Sequence, residues 1–185
     1  AITLDNNATD LTLITTSTGA VTIEDAGALV VQGSMGSFDV TDATSVADSG
    51  TLTITGATTI DTSAGNGAVV LDDDANGLSG TVTVSSGSGA ITLDNNTTNL
   101  TLASTSSGAV TIEDAADTNI SGTTGNLTVT DAGALTLAGT VTGNLVVTAA
   151  TSVSDGATLA VTGTSNIDTS AANGAIALDD DANNL

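Results

Sequence analysis

Two long stretches of this chain occur twice, and the distance between copies is not constant. Ala1–Ala26 reads AITLDNNATDLTLITTSTGAVTIEDA and Ala90–Ala115 reads AITLDNNTTNLTLASTSSGAVTIEDA, an offset of about 89 residues. TGATTIDTSAGNGAVVLDDDANGL at Thr55–Leu78 returns as TGTSNIDTSAANGAIALDDDANNL at Thr162–Leu185, an offset of about 107. The second copy therefore carries roughly 18 extra residues. A globular core accepts such an insertion only as a loop. A stack of similar coils accepts it as one more coil, because each coil touches only its neighbours.

The local pattern agrees. Short segments alternate apolar residues with Thr or another small residue, as in AITL (Ala1–Leu4), AVTI (Ala20–Ile23), TLTIT (Thr51–Thr55), TVTV (Thr81–Val84), LTVT (Leu127–Thr130) and LVVT (Leu145–Thr148). This is the period of a strand with one face buried. It points Ile2, Leu4, Val21, Ile23, Leu52 and Ile54 inward, and Thr3, Thr22 and Thr53 outward. Turn residues separate the segments, as in Asp5-Asn6-Asn7, Asp25-Ala26-Gly27 and Asn66-Gly67. No helical spacing of useful length occurs. Two strand–turn units make a coil of about 18–20 residues, the size of the insertion. The expected fold is all-β: a parallel β-helix of about ten coils, roughly 45–50 Å long at about 4.8 Å per coil. Residues 1–185 read as one continuous solenoid with super-repeat copies at about 1–89 and 90–185, cut from a longer chain. The competing architecture is a row of β-sandwich adhesin modules, for which 89–107 residues is a suitable size. The near-absence of aromatic side chains to fill an inter-sheet core weighs against it.

Composition narrows the function. The chain has 21 Asp and Glu and no Lys, Arg or His. Nucleic-acid binding depends on cationic neutralisation of phosphates, so no nucleic-acid partner is expected. The same holds for anionic lipid headgroups. No apolar run reaches the roughly 18 residues of a membrane span, so no membrane insertion is expected from this segment. There is no cysteine, no proline, and a single aromatic residue, Phe38. Stability must come from backbone hydrogen bonds and a slim aliphatic interior. An enzyme is not expected. No His, Lys, Arg, Tyr or Cys can act as base, nucleophile or oxyanion partner. Two carboxylates could in principle cleave a glycoside. However, Asp5, Glu24 and Asp25 recur as Asp94, Glu113 and Asp114, with Asp10 replaced by Asn99, and recurrence marks fold rather than a singular active site.

GAVTIEDAGALVVQG, GAITLDNN and ALTLAGTVTGNLVVTAATSVSDGATLAVTG together resemble the repeats of filamentous-haemagglutinin-like giant bacterial surface proteins. The resemblance covers essentially the whole chain. It implies a right-handed parallel β-helix, export to the cell exterior or bacterial surface, and a role as the shaft or filament of an adhesin, with an unknown surface ligand. It carries over no catalytic residue.

Three site readings follow from the residues. Asp72, Asp73 and Asp74, and their copies Asp179, Asp180 and Asp181, place three carboxylates on one turn with Asn76, Asn183 and Asn184 close by. Calcium takes such oxygen ligands. A plain solvated turn explains the same residues, and the Gly-Gly pairs of calcium-binding β-coils do not occur. Outward Thr pairs at Thr51–Thr53–Thr55, Thr81–Thr83, Thr128–Thr130 and Thr140–Thr142 suggest an ice- or surface-binding face, although AVTI and AITL offer one Thr each. Sequons at Asn7, Asn95, Asn96, Asn99, Asn119 and Asn126 are expected by chance in so Asn- and Thr-rich a chain. The reading that unites these features is a non-catalytic structural rod that self-associates along its axis or laterally.

Overall fold

The computed structural model describes residues 1–6, 9–24, 27–96, 99–114, 116–130 and 133–185. Alternation of apolar residues with Thr produces short strands, and the turns between them return the chain to the rung above. Within the described residues the chain winds as a β-solenoid of about nine turns with no helix.

Successive strands alternate between two sheets. Sheet A stacks β1 (Ile2–Asp5), β3 (Ala20–Glu24), β5 (Ser37–Thr41), β7 (Thr58–Asp61), β10 (Thr81–Ser85), β12 (Leu100–Thr105), β14 (Thr118–Thr124), β16 (Ala134–Val141), β18 (Ser152–Val161) and β20 (Ile176–Ala177). Sheet B stacks β2 (Asp10–Thr16), β4 (Ala28–Met35), β6 (Ser45–Ile54), β8 (Val69–Leu71), β11 (Ile91–Asp94), β13 (Val110–Glu113), β15 (Leu127–Thr130), β17 (Leu145–Thr148) and β19 (Ser165–Ile167). A short β9 (Gly77–Leu78) shares β6 with β8. Every ladder among the described strands is parallel. This overturns the sandwich alternative, whose antiparallel hairpins are not found there. The coil therefore has two sides.

The core is a slim aliphatic column between the sheets. Val21, Ile23, Leu52 and Ile54 are fully buried, as their alternation predicts, and Ile2 and Leu4 in the first coil are half-buried. Phe38 is buried and faces Val21 across one rung. Coil length varies with the turns. Val21↔Phe38 closes a coil quickly, whereas Thr58↔Val82 takes seven residues more because the DDDAN loop bulges outward. Long coils of this kind reduce the expected ten coils to about nine.

The registers reveal a further property. β1 and β11 carry the same ITLD, and β3 and β13 the same VTIE, yet the members of each pair lie in opposite sheets. The 89-residue offset spans nine strand positions, or four and a half turns, taking β8 and β9 as one rung. The 107-residue offset, from β7 to β19, spans eleven, so the extra 18 residues are one whole turn. Corner glycines follow the same shift. Gly36, Gly56 and Gly80 stack where sheet B leads into sheet A, and Gly89, Gly108 and Gly125 where A leads into B. A Cβ on Gly56 would meet the Gly36 carbonyl oxygen at 2.5 Å, and one on Gly108 the Gly89 oxygen at 2.0 Å. Only a residue without Cβ lets the corners stack at rung spacing.

Candidate functional site

The acidic turns are built the same way twice. β6 and β18 are each ten residues long, and the rung above each is interrupted. β8 pairs with Val46 and Ala47, β9 pairs with Thr53 and Ile54, and residues 72–76 loop out between them. In the second copy Ile176 and Ala177 pair with Val153 and Ser154, and Asn184 bridges to Ala160. Each loop closes over a carboxylate in the middle of the long strand. Asp48 accepts the Asp72 N–H (3.3 Å), the Asp73 N–H (3.2 Å) and the Asn76 Nδ2 (2.6 Å). Asp155 accepts the Asp179 N–H (3.4 Å), the Asp180 N–H (2.9 Å) and the Asn183 Nδ2 (2.6 Å). The amide oxygens of Asn76 and Asn183 then accept the Leu52 and Leu159 N–H groups, each at 2.7 Å. A long strand that loses ladder partners at its middle is thus satisfied by side chains.

An open cleft of about 430 Å³ lies between Asp48–Gly50 and Asp72–Ala75. Two of its carboxylates, Asp48 and Asp73, already accept N–H and O–H donors of the chain. Asp73 Oδ1 accepts the Ala75 N–H (3.0 Å) and the Thr51 hydroxyl (3.2 Å), and Asp180 Oδ1 accepts the Ala182 N–H (2.8 Å). Asp72, Asp74, Asp179 and Asp181 are exposed, and Asp73 and Asp180 are half-buried. Among the described residues no three Asp or Glu side chains come together in a metal-holding group. Asp48 and Asp155 organise both loops and were not singled out by sequence reading. Their signal was available in the recurrence of SVADSG and SVSDGA at the 107-residue offset.

Two other carboxylates are buried in a chain that offers no Lys, Arg or His. Asp94 is 4% exposed and Asp114 is 1% exposed. Burial pushes Asp94 up to about 6, aided by the charges of Asp74, Glu113 and Asp114 and by the Asp74 carboxyl within hydrogen-bonding reach. Asn96 Nδ2 donates to Asp94 Oδ1 at 2.6 Å. Burial likewise pushes Asp114 up to about 6, although the Ala116 N–H (2.8 Å), the Thr118 hydroxyl (3.3 Å) and Asn95 donate to it. The first-copy counterpart of Asp114, Asp25, lies outside the described residues, as does Asn7 of the first sequon. Asn95, another sequon position, is fully buried, whereas Asn99, Asn119 and Asn126 are exposed.

The strands themselves carry exposed carboxylates at Asp5, Asp10, Glu24 and Glu113. The central outward row of sheet B runs Thr12, Val30, Ala47, Val70, Thr92, Thr111, Thr128, Val146, Asn166, one per rung. In sheet A the row runs Thr3, Thr22, Asp39, Thr59, Thr83, Ala103. Neither is an unbroken threonine file. Among the described residues no helix is long and apolar enough to cross a membrane.

No curated protein and no solved structure matches the chain. Residues 18–85 and 124–185 match a family described as repeats of unknown function (DUF5649). The two matched spans start about one 107-residue offset apart and each contains one acidic loop. The parallel two-sheet winding, the duplicated loop and these matches together establish that the chain belongs to the DUF5649 repeat family.

Proposed function

We propose that this chain is a stiff structural rod, the shaft of a secreted or surface-bound adhesin-like protein, and that it performs no catalysis. One observation carries the reading: the interior is a continuous aliphatic column closed by rung-to-rung parallel ladders and stacked corners. Such an object resists bending and holds its ends at a fixed separation. The residue inventory points the same way, since it contains no side chain able to act as base at neutral pH in the manner of His or Lys. The cell exterior enters through the resemblance to filamentous-haemagglutinin-like repeats, and a purely acidic surface suits a saline medium that screens its own repulsion.

Small-angle scattering of the purified chain tests the rod. A cross-section that stays constant along about nine rungs, roughly 43 Å at about 4.8 Å each, supports it. A compact sphere or a flexible coil refutes it. Cell-surface labelling of the parent protein in its host tests location separately.

A further inference from the structure

We propose that Asp94 and the two asparagines after it form a latch that holds the first acidic loop closed in mildly acid medium and lets it open as the medium becomes neutral. The loop, residues 72–76, leaves sheet B after β8 and returns at β9.

The latch belongs to the next rung. Leu93 pairs with Leu71, so Asp94 stands beside the point where the loop departs. The Asp94 carboxyl lies within hydrogen-bonding reach of the Asp74 carboxyl. Asn96 Nδ2 donates to Asp94 Oδ1 at 2.6 Å and to the Asp74 carbonyl oxygen at 3.4 Å. Asn95 Oδ1 accepts the Leu78 N–H at 2.6 Å and so grips the strand on which the loop lands. Asn95 also donates to Asp114. The loop is thus held from two rungs. Asp48 seats it on one side through Asp72, Asp73 and Asn76, and residues 94–96 clasp it on the other.

Protonation decides whether the clasp attracts or repels. Two carboxyl groups in hydrogen-bonding reach bond only while one carries a proton, because an ionised carboxylate is an acceptor alone. Without that proton they repel. Asp94 is also faced by Glu113, its register partner on β13, and by Asp114 beyond it, which in turn faces Asp117. No Lys, Arg or His exists to offset them. Asp94 is fixed in a ladder and 4% exposed, whereas Asp74 is exposed in the loop. The loop is therefore the part that gives way. Opening it hydrates Asp94 and separates the two acids without unpairing β11, and such a segment opens before the ladders do.

With the loop closed Asp94 titrates near 6, and full hydration returns it to 3.8. Closure is favoured most below pH 3.8, and that advantage is lost as pH rises through 6. Between pH 4.5 and 7.5 the opening constant of the loop grows by at most about 25-fold.

The second acidic loop is an internal control. Asp155 seats it through Asp179, Asp180 and Asn183, and among the described residues no further rung clasps it. Asp155 is held below the ordinary carboxylate range, first by the Asn183 side chain, so its charge is constant from pH 4.5 to 7.5.

Amide hydrogen exchange of the whole chain, followed by NMR at pH 4.5, 6 and 7.5 and corrected for the intrinsic rate at each pH, tests the latch. Opening at Asp73, Ala75 and Asn76 is expected to rise by about 5- to 25-fold. Opening at Asp180, Ala182 and Asn183 is expected to stay within about twofold, and Asp94→Asn should flatten the response of the first loop. Equal responses of the two loops, or a response that survives Asp94→Asn, overturn the latch. So does a rise at Leu102 and Val129 in step with the first loop, since that reports loosening of the whole rod. Should the variant fail to fold, the two loops of the wild-type chain decide the matter between them.

Discussion

Raising the pH from 4 to 8 should destabilise this rod, which is the reverse of the usual behaviour of carboxylate-rich domains. The cause is the burial of Asp94 and Asp114 in a chain without counter-ions. Both titrate near 3.8 when unfolded and near 6 in the fold. Below pH 3.8 both states hold the protons, and the fold enjoys the full benefit of burying neutral carboxyls. Between 3.8 and 6 the unfolded chain ionises first, so the benefit shrinks, and above 6 it is gone. A shift of about two units at about 1.4 kcal/mol per unit limits each group to roughly 3 kcal/mol. The two do not add in full, because the Asp114 charge is one of those acting on Asp94. At the acid end the trend reverses. Asp155 is held below the ordinary carboxylate range, first by the Asn183 side chain and then by the Asp180 N–H. Asp168 is held low by the Ser170 hydroxyl and N–H. Their contribution is present above pH 3.8 and lost as pH falls below it. Stability should therefore peak near pH 4. Urea midpoints measured at half-unit intervals from pH 3 to 8, for wild type and for an Asp94→Asn/Asp114→Asn double variant, check this. The variant also isolates the effect from general repulsion among exposed acids. A wild-type maximum at pH 7 or above, or an unchanged slope between pH 4 and 7 in the variant, refutes the reasoning.

Other outcomes follow from single contacts. Gly108→Ala drives a methyl into the Gly89 carbonyl, 2.0 Å from the new Cβ, and should cost about 3 kcal/mol or more in denaturation. Because each coil touches only its neighbours, hydrogen exchange should rise most around β12 to β15. Thr58 is 1% exposed and its hydroxyl has no hydrogen-bond partner among the described residues. Thr58→Val should raise the denaturation midpoint by an equivalent of about 1–2 kcal/mol. Asn76→Ala removes both the acceptor for Leu52 N–H and the donor to Asp48, and should cost about 2–3 kcal/mol. Asn183→Ala, at a half-buried site with the same bonds, should cost less, and equal effects would show that burial is not what sets the magnitude.

The strands legible in the sequence were those with two or more large aliphatics in alternation, such as LTVT at β15 and LVVT at β17, whose bounds agree with the structure. β5 (SFDVT), β7 (TTID) and β14 (TNISGTT) were not singled out. Their own apolar content is low, and the rungs on either side hold them extended. Phe38 pairs with Val21 and Thr58, and Ile120 with Leu102 and Leu137. The acidic triplets were visible as residues, but Asp48 lies 24 residues before Asp72, and only the coil brings them into contact.

Alternation, turn chemistry and an 18-residue slip between copies determine, without any coordinates, that this chain stacks coils with a thin aliphatic interior. A period-two pattern has one buried side, and a coil that touches only its neighbours tolerates whole-coil insertions. Which side each copy faces is decided only in three dimensions. The number of strands in a super-repeat is odd, so winding turns equivalent residues to opposite sheets. Linear sequence records the distance between copies but not the half-turn, because direction around the axis exists only once the ladders have formed.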